Sequence, residues 1–247
     1  MFALHPVPDD LAPYVACIWT LEAPANEAPL PPIAPDGCCE WILHLADAPL
    51  VARDGGWRRQ PREFLFGQLR GPLVLHSDRV MRCLAVRFHP YAVTSLLRVS
   101  GGALAPEEIT LRALASCEAD SLRVAWRLVI ARLRRLARDA RPLDSLAIGA
   151  CRALADPDDA RVVSLARSFA VSPRTLERRF MAAVGMSPKR FGRIARMQRS
   201  LAALARPHAR AVDVALMLGY ADQAHFTREL VALAGVRPGA LLETTNS

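Results

Sequence analysis

No stretch of this 247-residue chain runs for 18 or more apolar residues without a charge, the length that a membrane-crossing helix needs. Arginine interrupts each long apolar segment. The N-terminus, MFALHPVPDD, has no basic segment leading into an apolar one, so the sequence predicts neither export nor a membrane partner, and a cytoplasmic location. Six cysteines stand at positions 17, 38, 39, 83, 117 and 151, without the paired spacing of a zinc site. In a reducing compartment they are expected to be buried thiols, and no metal ligands are assigned. A G-x-S-x-G elbow, a Walker loop and a dinucleotide fingerprint are all missing, which predicts no cofactor and no enzyme activity. One alternative stays open: a thiol- or metal-based sensor or enzyme in the N-terminal half, drawing on Cys38, Cys39, His44, His76, Cys83 and His89.

Acidic residues are scarce in one region. Residues 157–210 hold 12 Arg/Lys against 3 Asp/Glu, a net +9, whereas 211–247 hold 2 against 4, a net −2. The first 156 residues carry 18 and 17, so nearly all of the formal charge of +8 lies in the last third. A basic module beside a nearly neutral one predicts a polyanion-binding domain attached to something else. The boundary is placed at Asp156-Pro-Asp-Asp159, giving domains 1–156 and 157–247.

Up to about residue 90 the pattern is that of short strands. Tyr14–Leu21 and Cys38–Leu45 are β-prone, and Pro-rich loops flank the second. Pro49–Arg53 and the residues from Trp57 onward read as a hairpin about Asp54-Gly55-Gly56, and Leu73–Ser77 with Val80–Phe88 as a last strand pair. Such strands predict a small barrel or sandwich, which can hold one small ligand. Helices follow: 92–98, one from about Pro106, a long one from Asp120 or Ser121 to about Asp139, and 143–155. On the long helix Leu122, Trp126, Val129, Leu133 and Leu136 form a seam of heptad spacing. That seam packs either on its own domain or against a second subunit.

The last third is built on a repeat. At an offset of fifty, Leu176, Arg178, Phe180, Gly185 and Pro188 correspond to Phe226, Arg228, Leu230, Gly235 and Pro238. Each copy predicts an amphipathic helix closed by glycine, preceded by a shorter helix with a small residue, Ala166 or Ala215, at its centre. Two such pairs predict two helix-turn-helix units. Ser172 is the expected N-cap of the first unit's second helix, with Pro173 at N1. Arg174, Thr175, Glu177 and Arg178 are left at the exposed end, where a recognition helix meets base edges. Lys189 opens a connecting helix running to about Arg206, ~26 Å long at 1.5 Å per residue. The second unit exposes Gln223, Ala224, His225 and Arg228, after a turn one residue longer. The expected fold is therefore an α+β domain, a small β-barrel plus helices, followed by an all-α domain with two helix-turn-helix units joined by a long helix.

The segments LARSFAVSPRTLERRF, GMSPKRFGRIARMQRSLAAL and DVALMLGYADQAHFTREL resemble the DNA-binding domain of the AraC/XylS transcription regulators over about 161–242. The most specific element is A-x-x-L-G-Y/F-x-D-Q-x-x-F-x-R, which here spans Ala215 to Arg228. Pro35-Asp-Gly-Cys38 and the stretch from Gly67-Gln68 to His89-Pro90 resemble a sensory or dimerising domain found on a subset of that family. The resemblance implies a transcription activator that places its two units in successive major grooves of double-stranded DNA. Arg174, Glu177 and Arg178 would read bases in one groove, and Gln223, Ala224, His225 and Arg228 in the next. It further implies a homodimer, a small-molecule effector and RNA polymerase as partners. The sequence departs from the family after Arg228: the usual aromatic and closing P-x-x-Y/F-R are replaced by Leu230 and Pro238-Gly-Ala-Leu-Leu242. Together with the acidic balance of 211–247, this predicts that the first unit and the connecting helix anchor the protein on phosphates while the second adds reading.

Overall fold

The computed structural model describes residues 1–26, 28–104, 108–109, 121–156 and 162–245. Its strands are β1 (Phe2–His5), β2 (Val15–Ala23), β3 (Glu40–His44), β4 (Leu50–Arg53), β5 (Gly56–Arg59), β6 (Glu63–Phe66), β7 (Leu75–His76), β8 (Met81–Phe88) and β9 (Glu108–Ile109). They form two antiparallel sheets, of order β1-β2-β8-β3-β6-β9 and β5-β4-β7. The β-rich domain followed by a helical one is as expected, but the barrel is not closed. Prolines at 24, 29, 31, 32 and 35 deprive the connecting segment of donors. That segment contributes a single bridge, Ile33 to Leu73, instead of a ladder.

Two further expectations are corrected. Residues 73–77 and 80–88 do not pair with each other. β8 is flanked on both sides by β2 and β3, so no edge is left for β7, which joins β4 instead. The helix expected from about Pro106 falls on residues outside those described, except for 108–109, which extend the large sheet beside β6. The expected hairpin is present, but Gly56 already pairs with Arg53 and the turn is two residues long: Asp54 and Gly55 have φ of 48° and 79°, the geometry of a primed turn.

Alternation along the large sheet creates two interiors. Ile18, Trp41, Leu43, Leu84, Val86 and Phe88 face the helices and are buried in the main core. The opposite face, with Trp19, Ile42, His44 and Cys83, looks toward the small sheet. Against the first face lie α1 (Val93–Leu97), α2 (Leu122–Arg138) and α3 (Ser145–Ala155). The α2 seam is used inside the chain: Val129 and Leu133 are buried, while Trp126 and Leu136 pack on the same core. Leu122 alone of the seam is exposed, at 39%.

The C-terminal helices are α4 (Val162–Ser168), α5 (Pro173–Val184), α6 (Pro188–Leu204), α7 (Ala211–Met217), α8 (Gln223–Ala234) and α9 (Pro238–Thr245). The polar boundary segment lies largely outside the described residues, in 157–161. Ser172, Ser187 and Asp222 cap α5, α6 and α8, their side-chain oxygens accepting from Thr175 N at 3.1 Å, Arg190 N at 3.2 Å and His225 N at 2.6 Å. The turns within the two units open alike, and the second is one residue longer before its N-cap, as the sequence predicts. Val171 N donates to Ala166 O and Tyr220 N to Ala215 O, both at 3.0 Å, and each turn passes through a left-handed residue. In the second unit that residue is Gly219, at φ 69°, but in the first it is Ala170, at φ 52°. An L-residue there costs about 1–2 kcal/mol, partly offset by the greater unfolded-state freedom of glycine. Ala170→Gly is therefore expected to stabilise the protein by about 0.5–1 kcal/mol, read as a higher urea midpoint at unchanged slope. A lower midpoint would mean that this turn is not left-handed.

Three cores result. The main one runs from the large sheet through α3 into the first unit, taking in Leu176, Phe180 and Val184 of α5 and Phe191 and Ile194 of α6. The second unit has its own, around Val214, Tyr220, Phe226, Leu230 and Leu233. A small third core, with Phe64, Leu73 and Leu75, backs the β4-β5-β7 sheet. The first helix-turn-helix unit thus shares its interior with the N-terminal half.

Candidate nucleic-acid interface

The amphipathic period of α5 sets what it shows and what it hides. Leu176, Phe180, Ala183 and Val184 are buried, which turns Arg174, Glu177 and Arg178 outward; α8 buries Phe226, Leu230 and Leu233 and turns out Gln223, Ala224 and Arg228. Lys189, in the first turn of α6, is exposed as well. Among the described residues, the side chains of Arg174, Glu177, Arg178, Lys189, Gln223 and Arg228 have no hydrogen-bond or ion-pair partner. Side chains of these types can make base-edge contacts: Arg to guanine, Gln to adenine, Glu to cytosine N4.

Two of the sequence candidates are occupied locally. The Thr175 hydroxyl lies 2.9 Å from Ser172 Oγ, closing the cap of α5. His225 is half-buried against the Tyr220 ring, with centroids 5.4 Å apart. Its Nε2 is 3.5 Å from Glu229 Oε2, and Ala221 N approaches its Nδ1 at 3.4 Å.

The structure also brings together residues that the sequence reading missed. Arg179 makes a bidentate pair with Asp144, Nε to Oδ2 at 2.9 Å and Nη2 to Oδ1 at 2.7 Å. Asp144 in turn caps α3, accepting from Ala147 N at 3.0 Å. The carboxyl is held below its ordinary range: the Arg179 and backbone hydrogen bonds outweigh the opposing effect of burial, the largest single influence on it. Fifty residues on, at the equivalent position, Glu229 is buried with its side chain 6% exposed. It pairs with Arg196 at 3.0 Å and Arg193 at 3.4 Å, tying α8 to α6. Arg196 also lies over the Tyr220 ring, 4.2 Å from its centroid. Both positions, 179 and 229, fall on the apolar face of their helices, three residues after Leu176 and Phe226. A charge at that phase was the available signal.

The connecting helix presents fewer free cations than its composition suggests. Arg190 donates to Arg70 O at 3.1 Å and Arg199 to Ala155 O at 2.8 Å, while Arg196 is engaged by Glu229. Among the described residues, the exposed and unpaired cations of the first unit are Arg167, Arg174, Arg178 and Lys189, with Arg206 just past the end of α6, against Arg228 and Arg237 on the second.

A second feature lies in the N-terminal half. Between the sheets is a cavity of about 280 Å³, its wall mostly carbon, reached by His44, Gln60, Glu40 and Arg87. His44 is 2% exposed and neither ring nitrogen has a hydrogen-bond partner. Burial pulls its pKa down to about 4, so the ring is neutral. An unpaired buried polar group of this kind costs about 1–3 kcal/mol. Glu40 accepts from Arg87 Nε at 2.8 Å and from the Trp19 indole at 3.1 Å, while burial pushes its carboxyl up. Burial likewise pushes the thiols of Cys39, Cys83 and Cys151 to about 12 and raises that of Cys38 well above its usual value. Protonated thiols are poor nucleophiles and metal ligands, which weighs against a thiol sensor. Cys117 lies outside the described residues. No group of three His, Cys, Asp or Glu among the described residues is placed to hold a metal. His76 and His89 donate to Asn26 O and Ala12 O, at 2.9 and 3.2 Å.

The cavity wall is also a docking surface. Leu30, Ile33, Leu69 and Leu73 line the cavity. Between and beside them, Ala34 packs on the core of the second unit, and Pro35 O accepts from Gln198 Nε2 at 2.6 Å. A Cβ on Gly235 would lie 3.0 Å from Pro72 and 3.3 Å from Pro32, so that turn sits directly on the same two loops.

Two helix-turn-helix units on one connecting helix, behind a β-rich domain, define the fold of the double helix-turn-helix transcription regulators. Residues 165–244 match a family model described as a helix-turn-helix domain, and residues 4–110 one described as a domain of unknown function (DUF6597). The chain thus carries an AraC-type helix-turn-helix domain joined to a DUF6597 domain. No curated protein matches it. Among solved structures, it is similar to ToxT from Vibrio cholerae in its P21 form, at 12% identity and TM-score 0.52, covering 93% of this chain and 99% of that one. ToxT from Vibrio cholerae O395 gives 11% identity and TM-score 0.53, over 93% and 98%. The same ToxT bound to (E)-4-(8-methylnaphthalen-1-yl)but-3-enoic acid gives 11% and 0.52, over 92% and 97%. At these identities the likeness is one of fold. No described helix is long and apolar enough to cross a membrane.

Proposed function

We propose that this protein is a sequence-specific double-stranded DNA-binding transcription regulator that reads two successive major grooves under the control of a small molecule held between its sheets. The observation that carries the reading is the pair of exposed, unpartnered polar faces at the N-terminal ends of α5 and α8. Arg174, Glu177 and Arg178 serve one groove and Gln223, Ala224 and Arg228 the next, with Lys189 on phosphate. Thr175 and His225 support their helices and shape the same surfaces. We keep the division into 1–156 and 157–247. Ligand control is supported by the loops at 30–37 and 69–73, which line the cavity on one side and carry α6 and the second unit on the other. It is supported as well by the acid bound to ToxT, a protein of similar fold.

We assign the homodimer contact to the outer face of α2, where Val124 and Leu128 remain exposed while the heptad seam packs within the chain. The activator role and the contact with RNA polymerase rest on the AraC/XylS resemblance. Genome-wide mapping of bound DNA tests the whole reading. It should return a bipartite element whose halves are centred about 10–10.5 base pairs apart, present twice per site for a dimer, upstream of transcripts that fall when the protein is removed. Binding without sequence preference, or one undivided element, would contradict it.

A further inference from the structure

We infer that the cavity between the sheets takes a neutral, largely apolar ligand that offers one hydrogen-bonding group to His44, and that it rejects carboxylates. This rests on the effector-site reading above and adds the chemistry of what fills the site.

Among the described residues the wall carries no free cation. Arg87 is the one guanidinium among the lining side chains, and its Nε lies 2.8 Å from Glu40 and 3.2 Å from Asp36. One positive charge already serves two carboxylates. A ligand carboxylate would bring a third negative charge to one guanidinium in a low-dielectric space, where a positive charge shared three ways offsets little of its lost hydration. An ammonium would meet Glu40, but that carboxylate is already bonded to Arg87 and to the Trp19 indole. The ammonium would also lose its water to a wall of carbon.

The unused polar capacity belongs to His44. The alternation of β3 turns it to the cavity face along with Glu40 and Ile42, where its ring lies 6.0 Å from that of Phe64. A neutral imidazole offers one N–H donor and one bare nitrogen. Both are buried without a partner at full hydrogen-bond geometry, and the Gln60 amide on the same wall is near enough to interact with the ring without closing such a bond. A hydroxyl, carbonyl or amide on an apolar body satisfies this arrangement without charge. The volume of about 280 Å³ sits at the small end of ligand sites, the scale of a one- or two-ring compound.

Calorimetric titration of the full-length protein near pH 7.5 with 2-naphthol, 2-naphthoate and 2-naphthylmethylammonium tests this. The naphthol should bind, with the naphthoate and the ammonium at least ten-fold weaker. His44→Phe should weaken the naphthol at least ten-fold and raise the Tm of the ligand-free protein, whereas a histidine serving only the core would lower Tm when replaced. Equal or tighter binding of either charged probe, or naphthol binding indifferent to His44→Phe, overturns the inference and leaves the effector site standing. No heat with any of the three overturns the effector site itself.

Discussion

Gly185→Ala is expected to lower the thermal midpoint of the whole protein by about 6–15 °C, the equivalent of about 3–5 kcal/mol. Gly185 closes α5 at φ 86°, a left-handed conformation that costs an alanine about 1–2 kcal/mol. The larger part comes from packing. A Cβ there would lie 2.6 Å from Gly101 O and 3.2 Å from Leu104 Cβ, and a backbone carbonyl cannot swing away as a flexible side chain can. The contact is mutual, because a Cβ on Gly101 would run into the carbonyls of Met181 and Ala182. This is where the N-terminal half and the first helix-turn-helix unit meet without side chains between them, flanked by Thr94 Oγ1 donating to Ala183 O at 2.8 Å and by the Asp144–Arg179 pair. Gly102→Ala is the control. Nothing lies within 4 Å of its Cβ, so a change within about 0.5 kcal/mol is expected. Equal effects at 101, 102 and 185 would show that the close approach is not there.

Arg178→Ala and Arg228→Ala are expected to lower affinity for the mapped site by about 1–3 kcal/mol each, roughly 5- to 150-fold, but in different ways. Arg178 stands among Arg167, Arg174 and Lys189 in the more basic unit, so its loss should also weaken non-specific binding and flatten the salt dependence by up to about one phosphate equivalent. Arg228 lies in the stretch of net −2. Its loss should relax base preference in one half of the site while leaving the salt slope nearly unchanged. Titrations of both variants at several salt concentrations decide this. Equal losses with equal slope changes would contradict the division into an anchoring unit and a reading unit.

The charge count suggests that division but overstates the surface available for it. Twelve basic residues in 157–210 suggested a broad anchoring surface, yet Arg179, Arg190, Arg196 and Arg199 are spent on Asp144, on backbone carbonyls and on Glu229. Composition counts charges and cannot tell which face they occupy. Phase can: position 179 sits three residues after Leu176, as 229 does after Phe226, and a charge on an apolar face needs a partner from another element.

The helical third could be read locally because caps, prolines and glycine ends fix its helices within a few residues. The β half was harder. Strand existence followed from alternation, but partners did not: β7 and β8 are adjacent in sequence and belong to different sheets. β1 and β6 carried too few residues to stand out. The cavity was foreseeable only as a possibility of the barrel class. Its specific feature, an unpartnered His44, depends on which face of β3 is turned to the small sheet.

The central claim is that both units touch one face of the same DNA. Hydroxyl-radical footprinting of the full-length protein on a mapped site tests it most directly. Two protected patches on one face, centred about 34 Å apart along the axis, with the second patch weakened selectively by Arg228→Ala, is the result this account requires. A single patch, or protection that Arg228→Ala leaves unchanged, would contradict it.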